Sequence, residues 1–244
     1  MNKYYYDLHI HSCLSPCGDN DMTPNNIAGM AALNGLNIVA LTDHNTTKNC
    51  PAFFKACKKY GLIPVPGIEM TTAEDVHIVA LFPSLEDAMN FNSEYEKHRV
   101  PVKNRVEIFG EQLILDEEDK VIGSDGYLLL NATDLSIEEA AALARSYGAA
   151  VFPAHIDRDE NGIIAMLGDI PEEANFTAIE FRDGGKAEEY IEKYSLQDKL
   201  ILKDSDAHYL WNINESENSL MLDDEPYSSD LVRRRLIDLI KGGI

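Results

Sequence analysis

The chain has 244 residues, 45% of them apolar, and a formal net charge of −21. That length supplies one α/β domain with its own core and falls short of two, while the charge argues against long nucleic acid as a partner, because a surface for polyphosphate backbones needs an excess of Lys and Arg. No run approaches the roughly 20 apolar residues of a spanning helix, and the opening MetAsnLysTyrTyrTyrAspLeuHis has no basic segment leading into an apolar one, so a cytoplasmic protein with no membrane partner is expected.

Along the chain, short β-branched or aromatic runs alternate with segments of helical period. Tyr4–Leu8 reads as a strand; Thr23 before Pro24 is an N-cap followed by an N1 proline, opening a helix to Asn34 with Gly35 beyond its end. Strand Asn37–Thr42 precedes a helix over Pro51–Tyr60 that Gly61 terminates, and strands Leu62–Ile68 and Val76–Phe82 precede a helix over Leu85–His98. The stretch 102–131 breaks the rhythm. It reads as a hairpin insertion around the acidic turn AspGluGluAsp (116–119), near the mouth of the fold as a lid or dimer element. Ser136 and Glu139 have capping-box spacing for a helix over Ile137–Tyr147, with Gly148 after it. Strands Ala149–Ala154, Thr177–Phe181, Leu200–Lys203 and Ser219–Leu222 and helices Lys186–Tyr194 and Ser229–Lys241 complete the pattern. The order implies a largely parallel sheet with crossover helices in a single domain. Cys13, Cys17, Cys50 and Cys57 are expected as reduced thiols, since a chain of this length needs no staples.

The histidines carry the functional signal. Six of seven (His9, His11, His44, His77, His155 and His208) fall within or just after a predicted strand; His98, on a helix, is read as a solvated residue. Parallel β/α topology gathers strand ends on one face. His9 and His11 are two apart on an extended segment and so point to the same side, and Asp206 with His208 repeats that spacing. A single His-x-His pair is more often incidental than metal-binding. Asp43–His44, Glu69 and His155, each where a buried strand surfaces, change the odds. Imidazole with carboxylate suits zinc, manganese or iron over magnesium or calcium. No P-loop, dinucleotide glycine fingerprint or Gly-x-Ser-x-Gly elbow is present, which leaves metal-assisted hydrolysis.

AspLeuHisIleHisSer (7–12), LeuThrAspHisAsn (41–45), ProGlyIleGluMetThrThr (66–72), ValHisIleVal (76–79), ProAlaHis (153–155) and SerAspAlaHis (205–208) resemble, in order, the motifs of the PHP (polymerase and histidinol phosphatase) superfamily. The resemblance implies a distorted (β/α)7 barrel with a trinuclear site at its mouth, and a phosphoesterase that uses a metal-activated hydroxide on nucleotide phosphomonoesters, short oligoribonucleotides or other small phosphorylated substrates. It implies a first metal on His9, His11, Glu69 and Asp206, and a second on Glu69, His77 and His155. A third would lie on His44 and His208 with one more ligand shortly after the first motif. Pro16 and Cys17 stand where many relatives carry that ligand; Asp19 is the choice here, with Asp21 and Cys17 as alternatives. Glu69, Asp206 and His208 are the expected catalytic residues. Arg158 matches a phosphate-binding spacing, its other reading being a surface pair with Asp157 or Asp159. Asp43 is expected to orient a ligand. Tyr209 and Trp211 are expected as core or lid aromatics sooner than as base-stacking groups. Alternatives are a histidinol-phosphate-type phosphatase and a non-catalytic metal-binding module; the oligomeric state is left open.

Overall fold

The computed structural model describes residues 1–243. Strand β1 (Asn2–Asp7) leads through a long loop to helix α1 (Pro24–Leu33); β2 (Ile38–Leu41), α2 (Cys50–Tyr60), β3 (Ile63–Thr71), β4 (His77–Leu81) and α3 (Leu85–Tyr95) follow. The insertion holds α4 (Val106–Phe109) and the hairpin β5 (Leu113–Leu115) and β6 (Val121–Ser124). Then come α5 (Ile137–Ser146), β7 (Ala150–Pro153), α6 (Ile163–Leu167), β8 (Ala178–Phe181), α7 (Ala187–Lys193), β9 (Leu200–Lys203), β10 (Ser219–Leu222) and α8 (Ser229–Ile240).

The local signals act as read. The Thr23 side chain accepts from Asn26 N, Ser136 and Glu139 form the reciprocal capping box, and Gly35, Gly61 and Gly148 adopt φ of 76°, 72° and 81° at helix ends. Two short helices, α4 and α6, lie where no helix was expected; each is little more than a turn, too short for a periodic signal.

The main sheet runs β10-β1-β2-β3-β4-β7, and β8 pairs in parallel with β9. A parallel bridge between Ile10 and Ala207 joins the end of β1 to the segment after β9, and Ile156 N donates to Glu180 O across the β7–β8 seam. These links curl β1, β2, β3, β4, β7, β8 and β9 into a distorted barrel. The expectation of a largely parallel sheet needs correction: β4 runs antiparallel to both β3 and β7. Only residues 72–76 separate β3 from β4, and a parallel crossover needs a dozen or more. His77 therefore opens its strand, and still reaches the same face as the C-terminal ends of its neighbours.

Inside the barrel, Tyr6, Leu8, Ile38, Ala40, Val65, Val79, Leu81, Phe152 and Leu202 form one apolar core, which Val232, Leu236, Ile237 and Ile240 of α8 extend at the floor. Arg233 fixes α8 there, donating from Nε to Pro83 O (2.9 Å) and from Nη1 to Pro64 O (3.1 Å). Two further cores fill the spaces between strands and outer helices. On β3 the period of two carries the inward series Ile63, Val65, Gly67 and Glu69 to the mouth, so a carboxylate crowns an apolar column. Gly67 is required there: a Cβ would stand 2.8 Å from both Leu81 Cδ2 and Thr42 Cγ2.

The insertion is stitched to the wall of the barrel. Leu113 N donates to Cys13 O, and Asn49 pairs with β5 through Leu115 N and Leu113 O. Its acidic turn does not cover the mouth. Asp119 accepts from Thr23 Oγ1 (2.6 Å) and Asn25 N at the start of α1, and Glu117 pairs with Lys55 of α2.

Candidate metal centre

Glu69 is the hub of the mouth. Its Oε1 lies 2.8 Å from His77 Nδ1, 3.1 Å from His155 Nε2 and 3.3 Å from His9 Nε2; its Oε2 lies 2.9 Å from His44 Nδ1 and 3.2 Å from His11 Nε2. Asp206 Oδ1 stands 3.3 Å from His11 Nε2, while its Oδ2 accepts from Arg158 Nη1 at 2.8 Å. Three groups have donor atoms close enough to share an ion: His9, His11, Glu69 and Asp206; His44, Glu69 and His77; and His11, His44 and His208. All of these side chains are buried except His208, which is half-buried at the rim. His155 touches Glu69 from the far side. His98 lies elsewhere, 2.9 Å from Asp134.

The residues behind the cluster fix which nitrogens face inward. His9 Nδ1 donates to the Glu180 carboxylate (2.9 and 3.0 Å), and His208 Nδ1 donates to Asp206 O (2.8 Å). Ser15 Oγ gives its proton to Asp43, leaving a lone pair for His11 Nδ1 at 3.0 Å. In each ring the proton is held at Nδ1, and Nε2 offers its lone pair to the centre. His9 Nε2 and His11 Nε2 then face each other at 3.1 Å. Two lone pairs that close repel unless a cation or proton lies between them. His44 Nδ1 and His77 Nδ1 come within 2.9 and 2.8 Å of Glu69 without hydrogen-bond geometry, and stay buried and unpartnered with Glu69 Oε2. Opposed donor atoms of this kind fit a shared divalent ion.

The electrostatics point the same way. Burial pushes Glu69 up, but the facing His77, His9 and His44 outweigh it and hold the carboxyl well below its usual range. Asp206 is likewise held low against burial, by hydrogen bonding with His11 and the charge of His9. Burial opposes a charge on His11, yet its contacts with Asp206 and Glu69 raise it to about 9. His44 also reaches about 9 against burial, through Cys17 and Glu69. His208 falls to about 3, through burial and the neighbouring His11. The carboxylates thus draw positive charge to the centre, a role that protons and metal ions compete to fill.

Asp19 is not brought into any of the three groups; its side chain accepts from Asp21 N. Exposed Cys17, two residues before Asp19, lines the mouth cavity beside His44, and neither it nor Asp21 falls in the three groups. Asp43 bonds to Ser12 N and Oγ and to Ser15 Oγ. Cys13, Cys50 and Cys57 are buried and all four cysteines are free. Two residues at this site went unread in the sequence. Glu180 is fully buried behind His9, and a carboxylate inside the apolar run ThrAlaIleGluPhe was the available signal. Arg182, two residues on, lines the mouth cavity of about 380 Å³ with Arg158, His44, His77, His208 and Tyr209. A larger cavity, about 650 Å³, lies around Asp169, Phe176 and Tyr194 and contains none of the histidines.

A family model, the PHP domain, matches residues 7–195. A 5′-3′ exoribonuclease of Haemophilus influenzae is 34% identical over 79 residues, 31% of this chain and 28% of that protein. The 5′-3′ exoribonuclease Rnm of Salmonella typhimurium is 31% identical over 104 residues, 38% of this chain and 34% of that protein. The matches thus span about a third of these curated relatives. Among solved structures, the lesion-specific endonuclease Q of Pyrococcus furiosus superposes with a TM-score of 0.70 at 19% identity, covering 99% of this chain and 56% of that one. Endonuclease Q has also been solved with a 27-mer duplex carrying an abasic lesion at its active site.

These relatives overturn the exclusion of long nucleic acid drawn from net charge. Proteins named for acting on RNA and DNA share this chain's fold or motifs, and net charge is an average over the whole surface. Arg158 and Arg182 both line the mouth cavity of a chain whose net charge is −21 overall. No helix among the described residues is long and apolar enough to cross a membrane.

Proposed function

Because the chain belongs to the PHP domain family, we propose that it is a metal-dependent phosphoesterase that hydrolyses phosphoesters of nucleotides at the ends of nucleic-acid strands, short oligoribonucleotides among them. The observation that carries this reading is Glu69, a buried carboxylate shared by two groups of imidazoles and carboxylates at the mouth of the barrel. His9, His11, Glu69 and Asp206 would hold one divalent ion, and Glu69 with His77 and His155 a second. His44, within reach of Glu69 and His77, and His208 serve a third.

Zinc, manganese or iron bound by this mixed donor set supplies an acidified water and charge neutralisation on the phosphate. The protein's own contribution is positional. Arg158 and Arg182 line the cavity and would offer guanidinium donors to phosphate oxygens, Arg158 while its Nη1 is held by Asp206 Oδ2 at 2.8 Å. The barrel core below the cluster excludes water from its inner side. Both the nuclease names of the relatives and the two arginines support a nucleic-acid phosphate as substrate.

Metal analysis of the purified protein, followed by hydrolysis assays on a nucleoside monophosphate, a trinucleotide and a longer 5′-phosphorylated strand, tests the proposal. Bound divalent metal and hydrolysis of at least one of these are expected, both strongly reduced by Glu69→Gln, whose amide contributes no charge to either group. Full activity after prolonged dialysis against chelator would overturn it.

A further inference from the structure

Trp211 is the only tryptophan in the chain, and it is 75% exposed. It stacks on Tyr209, itself 39% exposed, with ring centroids 4.8 Å apart and planes 21° from parallel. Neither ring is in the core, one of the two places, core or lid, expected from the sequence. Tryptophan is highly buried on average, so an exposed, preformed aromatic stack beside a functional mouth calls for a binding partner.

The turn that carries the pair is held at both ends. Leu210 packs inward against the core beside α1, and Ile213 is buried. Asn34 Nδ2 donates to Ile213 O at 2.9 Å, and Asn214 N donates to Asp7 Oδ2 at 3.0 Å. With residues 210 and 213 turned in, 209 and 211 face out. Tyr209 directly follows His208, and lines the same cavity as Arg158 and Arg182. Lys186 lies in the adjoining cleft with both arginines, interleaved with Asp157, Asp159 and Asp183. Tyr209 thus borders the mouth with Arg158 and Arg182, and Trp211 extends its aromatic face outward.

Resting on the nucleic-acid reading above, we infer that Tyr209 and Trp211 form a stacking platform for an unpaired base of the strand whose phosphate enters the mouth. Cations for the backbone and a π-face for the base are the two elements that single-strand binding combines. Bases inside a duplex already stack on one another and leave no face for the platform, so the occupant is a single strand or a frayed end. The platform tolerates any base, because every base has a π-face.

The experiment uses the metal-loaded protein with phosphorothioate-linked octamers, one bearing adenines and one abasic at its two 5′-terminal positions, both fluorescein-labelled at the 3′ end. Anisotropy gives affinity, and Trp211, as the sole tryptophan, reports contact by fluorescence quenching. The expected result is saturable quenching by an unlabelled adenine octamer and binding to the abasic strand weaker on the order of 10-fold. In Trp211→Ala the difference between the two strands collapses, and in Trp211→Phe much of it returns. Equal affinity for the two strands, or no quenching, would overturn the platform even if phosphoester hydrolysis persists. Base-dependent binding in a protein that hydrolyses no phosphoester would leave the platform standing and remove the hydrolase reading. Quenching by unrelated proteins at the same concentration, with none by either strand, would reassign the exposed pair to a protein partner.

Discussion

An imidazole ligand is only as well aimed as the group behind it, and for His9 that group is Glu180, which also accepts from His155 N at 2.9 Å. Glu180→Gln keeps the shape but lets an NH2 group face Nδ1, favouring the wrong tautomer. Metal affinity is expected to fall about 10- to 100-fold, measured by competition with a chromogenic chelator; unchanged affinity would remove Glu180 from the site. Asp206 sits in the left-handed region at φ 50°, where Asp and Asn are tolerated and branched residues are not. Asp206→Asn keeps this backbone conformation but gives up the charge that faces His11 and Arg158, so it should retain less metal and melt lower than the parent even in chelator. Asp206→Val should lose about a further 1–2 kcal/mol in chelator, from the strained backbone. The ligand types were legible because a buried strand that surfaces on His, Asp or Glu is conspicuous in sequence. None of Asp19, Asp21 and Cys17 falls in the groups that could share an ion, and their placement relative to the cluster was not legible. It depends on how a non-periodic loop turns: a Cβ at Gly18 would stand 2.5 Å from Ser12 O, and no spacing rule reports that close approach.

At the level of elements, helix starts and stops were readable from Thr23, Ser136 and Gly61, whereas strand direction was not read although the short link between β3 and β4 contained it. The hairpin in the insertion was also legible; its docking was not, because Asp119 and Glu117 find their partners on α1 and α2, far away in sequence. One anchor of this insertion is Asp125, 2.9 Å from Arg99 Nη1, Arg99 Nη2 and Lys48 Nζ. Burial would raise its pKa, but these hydrogen bonds bring it from 3.8 to about 2. A carboxyl depressed on folding adds stability above its unfolded pKa, and that stability is lost as pH falls through the folded one. Asp125→Asn is expected to cost about 2 kcal/mol at pH 6, a figure discounted for partial solvent screening. The difference from the parent should shrink as pH falls from about 4 toward 2. A pH-independent difference in thermal unfolding would show that the ion pairs are not its source.

For the whole molecule, a charge of −21 is an average over the surface and does not by itself exclude a nucleic acid; on the proposed reading, Arg158, Arg182 and Lys186, interleaved with Asp157, Asp159 and Asp183, are the cations a strand would meet. With about three phosphates met by Arg158, Arg182 and Lys186, the slope of log affinity against log salt for a single strand should be about −2. A much steeper slope, measured by anisotropy between 50 and 200 mM salt (about a Debye length of 14 to 7 Å), would reveal a longer basic track. The closure of the barrel at Ile10 and Ala207 has a consequence in time. The group His44, Glu69 and His77 is complete once three consecutive strands have formed, whereas His9, His11, Glu69 and Asp206 must wait for the first strand to meet the segment after β9. Contacts so distant in sequence form late in folding. During synthesis on a ribosome, therefore, the emerging chain acquires its nearer ligand group while the other is still waiting for its last carboxylate.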